Sequence, residues 1–159
     1  MGDGYEVREA TGEDGAEIHA LARELAGAVG DASPDEDAVR ARLEELLDEP
    51  RARVFVAEAG DEVAGAVSLW IKPDLAHGDA VVEVPMLAVS EDHRRAGVGR
   101  LLMTRVREIA AENDASLVEL VATRSNVAAR DFYKALGFIE ADVVSLEFVG
   151  NNDHPPEET

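Results

Sequence analysis

The apolar and polar positions of the chain fall into ten segments. "YEVREAT" alternates and reads as a first strand. Thr11 can cap a helix that carries Ile18, Leu21, Leu25 and Val29 on one face. "SPDE" predicts a second helix start, with Ser33 as cap, Pro34 at the first helical position and Glu36 completing a capping box. Its apolar stripe is Val39, Leu43, Leu46 and Leu47, and Pro50 ends it. "RVFVAEAGDEVAGAVSLWI" reads as a hairpin around Gly60 and Asp61. A third run, "AVVEVPMLAV", follows a polar loop from Lys72 to Asp79.

Beyond a loop rich in Arg and Gly, Val98, Leu101, Leu102, Val106 and Ile109 mark a helix with one buried side. "SLVELVAT" predicts another short buried strand. "SNVAARDFYKALGF" predicts a helix capped by Ser125 or Asn126 and stopped by Gly137. "ADVVSLEFV" predicts a last strand, and "GNNDHPPEET" a polar tail. The order is β-α-α-β-β-β-α-β-α-β, without an internal repeat. It implies an α/β domain over residues 1–150, a mixed sheet with helices on both faces, and a tail over 151–159.

Composition narrows the chemistry. A chain of 159 residues suits one core. Without cysteine there can be no disulfide, thiolate metal site or cysteine nucleophile. The histidines, at 19, 77, 93 and 154, are scattered, and no metal site is expected. No apolar run is long enough to span a bilayer, and "MGDGYEVREA" lacks a basic start followed by an apolar stretch. The expectation is a soluble, cytoplasmic protein with no membrane partner. A net charge of −19 argues against nucleic acid and favours cationic substrates. It equally serves solubility in a salt-rich setting.

Against that acidity, "HRRAGVGR" places Arg94, Arg95 and Arg100 around Gly97 and Gly99 at a helix start. A helix N-terminus offers unpaired N–H groups and the positive end of the dipole. The glycines would let a ligand approach without a Cβ in the way. A P-loop would require Lys-Ser/Thr after its last glycine, whereas Arg100 and Leu101 follow Gly99. A Rossmann loop would require a third glycine and an early strand. An ordinary structural turn stays open as an alternative.

"RRAGVG" resembles the Arg/Gln-x-x-Gly-x-Gly/Ala signature of the GNAT superfamily of acetyl-CoA-dependent N-acetyltransferases. "MLAVSEDH" before it and "SNVAARDFYKALGF" after it resemble that family's approach strand and second motif, over roughly residues 5–149. The resemblance implies a mixed, mostly antiparallel sheet. It implies that the amides of Arg95, Ala96, Gly97, Val98, Gly99 and Arg100 wrap the pyrophosphate of acetyl-CoA. The arginine side chains, Arg94 included, would help, and the backbone of Leu87, Ala88 and Val89 would lie along the pantetheine arm. Pro85, unable to donate a ladder hydrogen bond, fits a bulge near Pro85-Met86-Leu87, or else an ordinary edge strand.

An amine of pKa about 10.4 must lose its proton before attack, which costs about 4–5 kcal/mol at pH 7. Glu83, in apolar "AVVEVPM", matches a position where members of the family carry a catalytic base, and apolar flanks would raise its proton affinity. It also reads as a solvent-facing glutamate. By the same resemblance Tyr133 is the general acid, Asn126 a coenzyme contact and the Leu87 N–H the oxyanion donor. Tyr133 also reads as a packing partner of Phe132, and Asn126 as a plain cap.

The acceptor would enter over the first two helices and their connection, where Asp31, Asp35, Glu36 and Asp37 could meet a cationic amine or simply complement a helix start. Trp70 and "KPDLAHGD" would line the entrance. The expected activity is direct acetyl transfer to a primary amine of a small molecule or peptide in a ternary complex. The alternative is a non-catalytic acyl-CoA-binding module on the same fold. A homodimer through the last strand is in keeping with the resemblance.

Overall fold

The computed structural model describes residues 4–147. Five strands lie in the order β1-β2-β3-β4-β5. They are β1 (Glu6–Glu9), β2 (Ala52–Ala59), β3 (Glu62–Asp74), β4 (Asp79–Val89) and β5 (Ala115–Glu119). The first four pair antiparallel, and β5 runs parallel to β4. The helices are α1 (Gly15–Val29), α2 (Glu36–Asp48), α3 (Val98–Glu112) and α4 (Val127–Ala135).

Alternation along the strands makes two cores. Val54, Val56, Ala66 and Ala88 meet Ile18 and Leu21 of α1 and Leu43 of α2. Phe55, Val67, Leu69, Val82, Val84 and Leu87 meet Val98, Leu102, Val106 and Ile109 of α3 on the other face, where Tyr133 and Leu136 also pack. The expected mixed sheet with helices on both faces is therefore present.

Several local expectations are corrected. Thr11 caps a short 3-10 turn at Gly12–Asp14 that leads into α1. Asp35, not Ser33, caps α2, its carboxylate accepting from the Ala38 N–H at 3.0 Å. The Pro34 carbonyl lies 2.9 Å from His19 Nε2 and so turns back toward α1. The strand β5 is an edge strand and largely exposed, with Leu117 at 47%. The last predicted strand does not form over 141–147, and Val143, Val144 and Leu146 are exposed there. Its final residues and the tail lie outside the described residues.

The strand β4 carries the irregularity that matters. Met86 pairs with Ser68 and Glu83 with Trp70, so two β4 residues, Val84 and Pro85, stand opposite Leu69 alone. This is a one-residue bulge. The extra residue resets the alternation, and Leu87 shares the α3 face with Val84 although three positions separate them. Pairing with β5 covers only Ala80–Glu83. Beyond the bulge the two parallel strands part.

Candidate active site

The opening between β4 and β5 is lined by backbone. The Ser90 N–H donates to the Ala64 carbonyl at 2.8 Å. Counting back by the two-residue period of an antiparallel ladder, Ala88 and Met86 bond to β3, while Leu87 and Val89 turn their N–H and C=O groups toward the opening. The Val89 carbonyl is approached there by Arg94 Nε at 3.4 Å. Among the described residues, the Leu87 N–H has no backbone partner outside the ladder.

The same edge leads into the Arg/Gly loop. A 3-10 turn at Glu91–His93 is closed by His93 and Arg94 N–H groups donating to Ser90 and Glu91 carbonyls. Among the described residues, the six amides from Arg95 to Arg100 have no backbone or side-chain acceptor; the ladder of α3 begins with Leu101 N–H to Gly97 carbonyl at 3.0 Å. Two left-handed residues shape the run, Arg95 at φ 65° and Gly97 at φ 85°. Acidic residues stand in the first turns of α1 and α2, but none in that of α3. The result is a row of bare donors at the positive end of a helix dipole, a setting suited to an anion.

Two members of the loop have other duties. Gly99 is buried in the first turn of α3, and a Cβ there would lie 2.7 Å from Cζ of Phe132. Its missing side chain admits α4, not a ligand. The Arg100 guanidinium donates to the Ala135 carbonyl at 2.9 Å, at the C-terminal end of α4. Arg107, two turns further along α3, donates to the Leu136 carbonyl at 2.6 Å. Both charges sit where the α4 dipole is negative. The Arg100 side chain, expected to help hold the coenzyme, is here engaged with α4, and its amide has no acceptor among the described residues.

Tyr133 lies on α4 between Phe132 and Phe138, with ring centroids 5.5 and 5.9 Å away. Burial pushes its phenol above the ordinary value of 10.0, so the neutral, proton-bearing form is favoured. Asn126 caps α4, its side-chain oxygen accepting from the Ala129 N–H at 3.1 Å. Glu83 projects from the face opposite Val82 and Val84, next to Trp70 across the ladder. Its carboxylate is partly exposed and ion-paired with Lys72. The apolar letters around it belong to the other face. Thus Glu83 and Tyr133 flank β4 from opposite sides of the sheet.

Of the acidic residues at the start of α2, Asp35 is occupied as a cap and Glu36 pairs with Arg40 at 3.2 Å. Sequence reasoning passed over Arg107, the pairing of Lys72 with Glu83 and the contact of Phe132 with Gly99. The i, i+7 spacing of Arg100 and Arg107 would have placed both on one helix face. Among the described residues no group of metal-ligating side chains exists, and no helix is long and apolar enough to cross a membrane.

Comparison with known proteins leads to the same place. The sequence model of the acetyltransferase (GNAT) family matches residues 16–138. The N-acetylaspartate synthetase of Xenopus tropicalis is 29% identical over 108 residues, 68% of this chain and 38% of that protein. An uncharacterized N-acetyltransferase of Methanocaldococcus jannaschii is 33% identical over 93 residues, 57% of this chain and 40% of that protein. The matches with these relatives thus span about two fifths of their length. Among solved structures, a possible acetyltransferase from Clostridium difficile 630 superposes with a TM-score of 0.80 at 22% identity, covering 93% of this chain and 99% of that one. An aminoglycoside acetyltransferase from an uncultured soil metagenomic sample, in complex with sisomicin, gives 0.74 at 19% identity, covering 94% and 98%. Bulged strand, bare amide run and second helix motif all fall inside the matched segment, and the chain belongs to the GNAT acetyltransferase family.

Proposed function

We propose that the protein transfers an acetyl group from acetyl-CoA to a primary amine of a small molecule or peptide, by direct attack within a ternary complex. The observation that carries this reading is the run of six unpartnered amides at the start of α3, adjoining the opening where β4 leaves β5. Acetyl-CoA supplies an activated thioester. The chain supplies the rest.

The amides of Arg95 to Arg100 are the cradle for the pyrophosphate, with Arg94 and Arg95 nearby as charge-assisted donors. The free edge at Leu87 and Val89 gives the pantetheine arm backbone to pair with, and the Leu87 N–H is the donor for the oxyanion. Tyr133, kept protonated by burial, returns a proton to the departing thiolate. Glu83 takes the proton of the incoming amine. Its pairing with Lys72 supports a cationic acceptor, because an ammonium group can replace the lysine at the same carboxylate.

Calorimetric titration with acetyl-CoA tests the reading, with Gly97→Asp as the paired variant. Micromolar binding by the wild type, weakened at least tenfold in the variant, is expected. A side chain at φ 85° is strained and its charge opposes phosphate. Failure of the wild type to bind would overturn the assignment. Binding without thiol release across an amine panel would leave a coenzyme-binding module.

A further inference from the structure

Six bare amides bind an anion well only if they are aimed before it arrives, since ordering a loose loop on binding subtracts from affinity. Something other than backbone hydrogen bonds must therefore hold the segment from Arg95 onward. The residue in front of Arg94 is placed to do it. The His93 side chain is only 14% exposed. Its Nδ1 lies 2.9 Å from the Tyr5 hydroxyl, and the two rings meet edge to face at 5.6 Å between centroids. Its Nε2 is shut off from solvent and lies 3.2 Å from Glu62 Oε1, off the line of a well-formed hydrogen bond.

The three side chains come from distant parts of the chain. Tyr5 leads into β1, Glu62 opens β3, and His93 ends the turn before the amide run. The turn is tied a second time where the Glu91 N–H donates to Glu24 Oε2 of α1 at 3.3 Å. If the Tyr5 hydroxyl donates to Nδ1, the ring proton sits on Nε2, toward the Glu62 carboxylate.

We infer that His93 is a positioning residue for coenzyme binding. Clamped between Tyr5 and Glu62, it fixes the take-off direction of the Arg95–Arg100 amide run. The inference rests on the acetyl-CoA reading above. It assigns to His93 no contact with the coenzyme and no chemistry.

The test is calorimetric titration of acetyl-CoA into wild type, Tyr5→Phe, His93→Leu and His93→Asn, with the melting temperature of each. Tyr5→Phe removes one hydroxyl and keeps the ring, so the fold should melt within about 2 °C of wild type. Its dissociation constant should rise about three- to tenfold, the ordinary net effect of one lost hydrogen bond. His93→Leu should weaken binding further. His93→Asn, whose carbonyl can accept from Tyr5, should recover part of the loss. Wild-type binding with unchanged affinity in Tyr5→Phe and His93→Leu would overturn the positioning role and leave the acetyl-CoA reading intact. Losses that simply follow the melting temperature would overturn it too. A wild type that does not bind acetyl-CoA would overturn the reading and this role together.

Discussion

The ring of Phe132 occupies the place where a side chain at position 99 would begin: a Cβ on Gly99 would stand 2.7 Å from Cζ of Phe132. The second motif is thus keyed into the first by one absent methyl group. Through this contact and the two arginines, the helix that carries Tyr133 is set against the helix that starts the amide cradle.

Gly99→Ala should therefore destabilise the fold by roughly 1–3 kcal/mol, the usual penalty of overpacking. Phe132→Leu should restore much of it, because the two sites share one contact. Urea unfolding of the single and double variants measures the coupling. Additive losses would detach the two residues.

Tyr133→Phe should lower turnover by about 10²-fold or more, the scale of a lost general acid, with little change in acetyl-CoA affinity. The native phenol sits above 10.0 because burial disfavours the phenolate. The linked stability is complete below the unfolded value and is lost as pH rises through the native one. The alkaline fall in the wild-type rate should accordingly lie above that of a free phenol. Full activity in Tyr133→Phe would return the residue to packing alone.

Glu83→Gln should flatten the acidic limb of the pH–rate profile, since it deletes the group that must be ionised to accept a proton. Lys72→Met should improve KM for a cationic acceptor by freeing the carboxylate. A profile identical to wild type in Glu83→Gln would route the proton through water.

Asp14 is 4% exposed. It accepts from Arg8 at 2.8 and 2.9 Å and from the Thr11 N–H at 2.7 Å. Hydrogen bonds from Arg8, outweighing the cost of burial, hold its carboxyl below the ordinary 3.8. The sign follows: this contribution is present above the unfolded value and disappears as pH falls through the lower native one. Asp14→Ala should cost about 1.5–3 kcal/mol at pH 7. Its stability curve should be flatter than that of wild type below about pH 4. Parallel curves would show the pair contributes nothing.

A charge of −19 on 159 residues repels itself. Raising salt from about 0.1 M to about 1 M shortens the screening length from roughly 10 Å to 3 Å. The melting temperature should rise over that range, as calorimetry would detect. A flat response would mean that local ion pairs already offset the repulsion.

The features legible in the sequence were those with a local cause. Pro85 announced the bulge because a residue without an N–H cannot continue a ladder. Asn126 announced a cap, and the structure adds that Gly97 is left-handed. What escaped depended on partners far along the chain. Gly97 and Gly99 look alike as letters, yet one bends backbone and the other receives a ring from position 132. Glu83 lies among valines that face the other way. The Tyr5–His93 pair spans 88 positions and leaves no local sign. The start of α2 lies two residues later because Ser33 and Asp35, on either side of Pro34, can both cap, and it is Asp35 that accepts from the Ala38 N–H while the Pro34 carbonyl is bound to His19.

The bulge at Val84 and Pro85 also bears on kinetics. A crevice between two strands that could pair would have to be pried apart by each incoming ligand, and association would wait on that opening. Proline at the point where β4 and β5 part forbids the next rung, so the closed sheet is not available as a competing state. Entry of a ligand into this crevice is then limited by encounter and orientation, on the order of 10⁵–10⁷ M⁻¹s⁻¹, and should show no unimolecular lag at high ligand concentration.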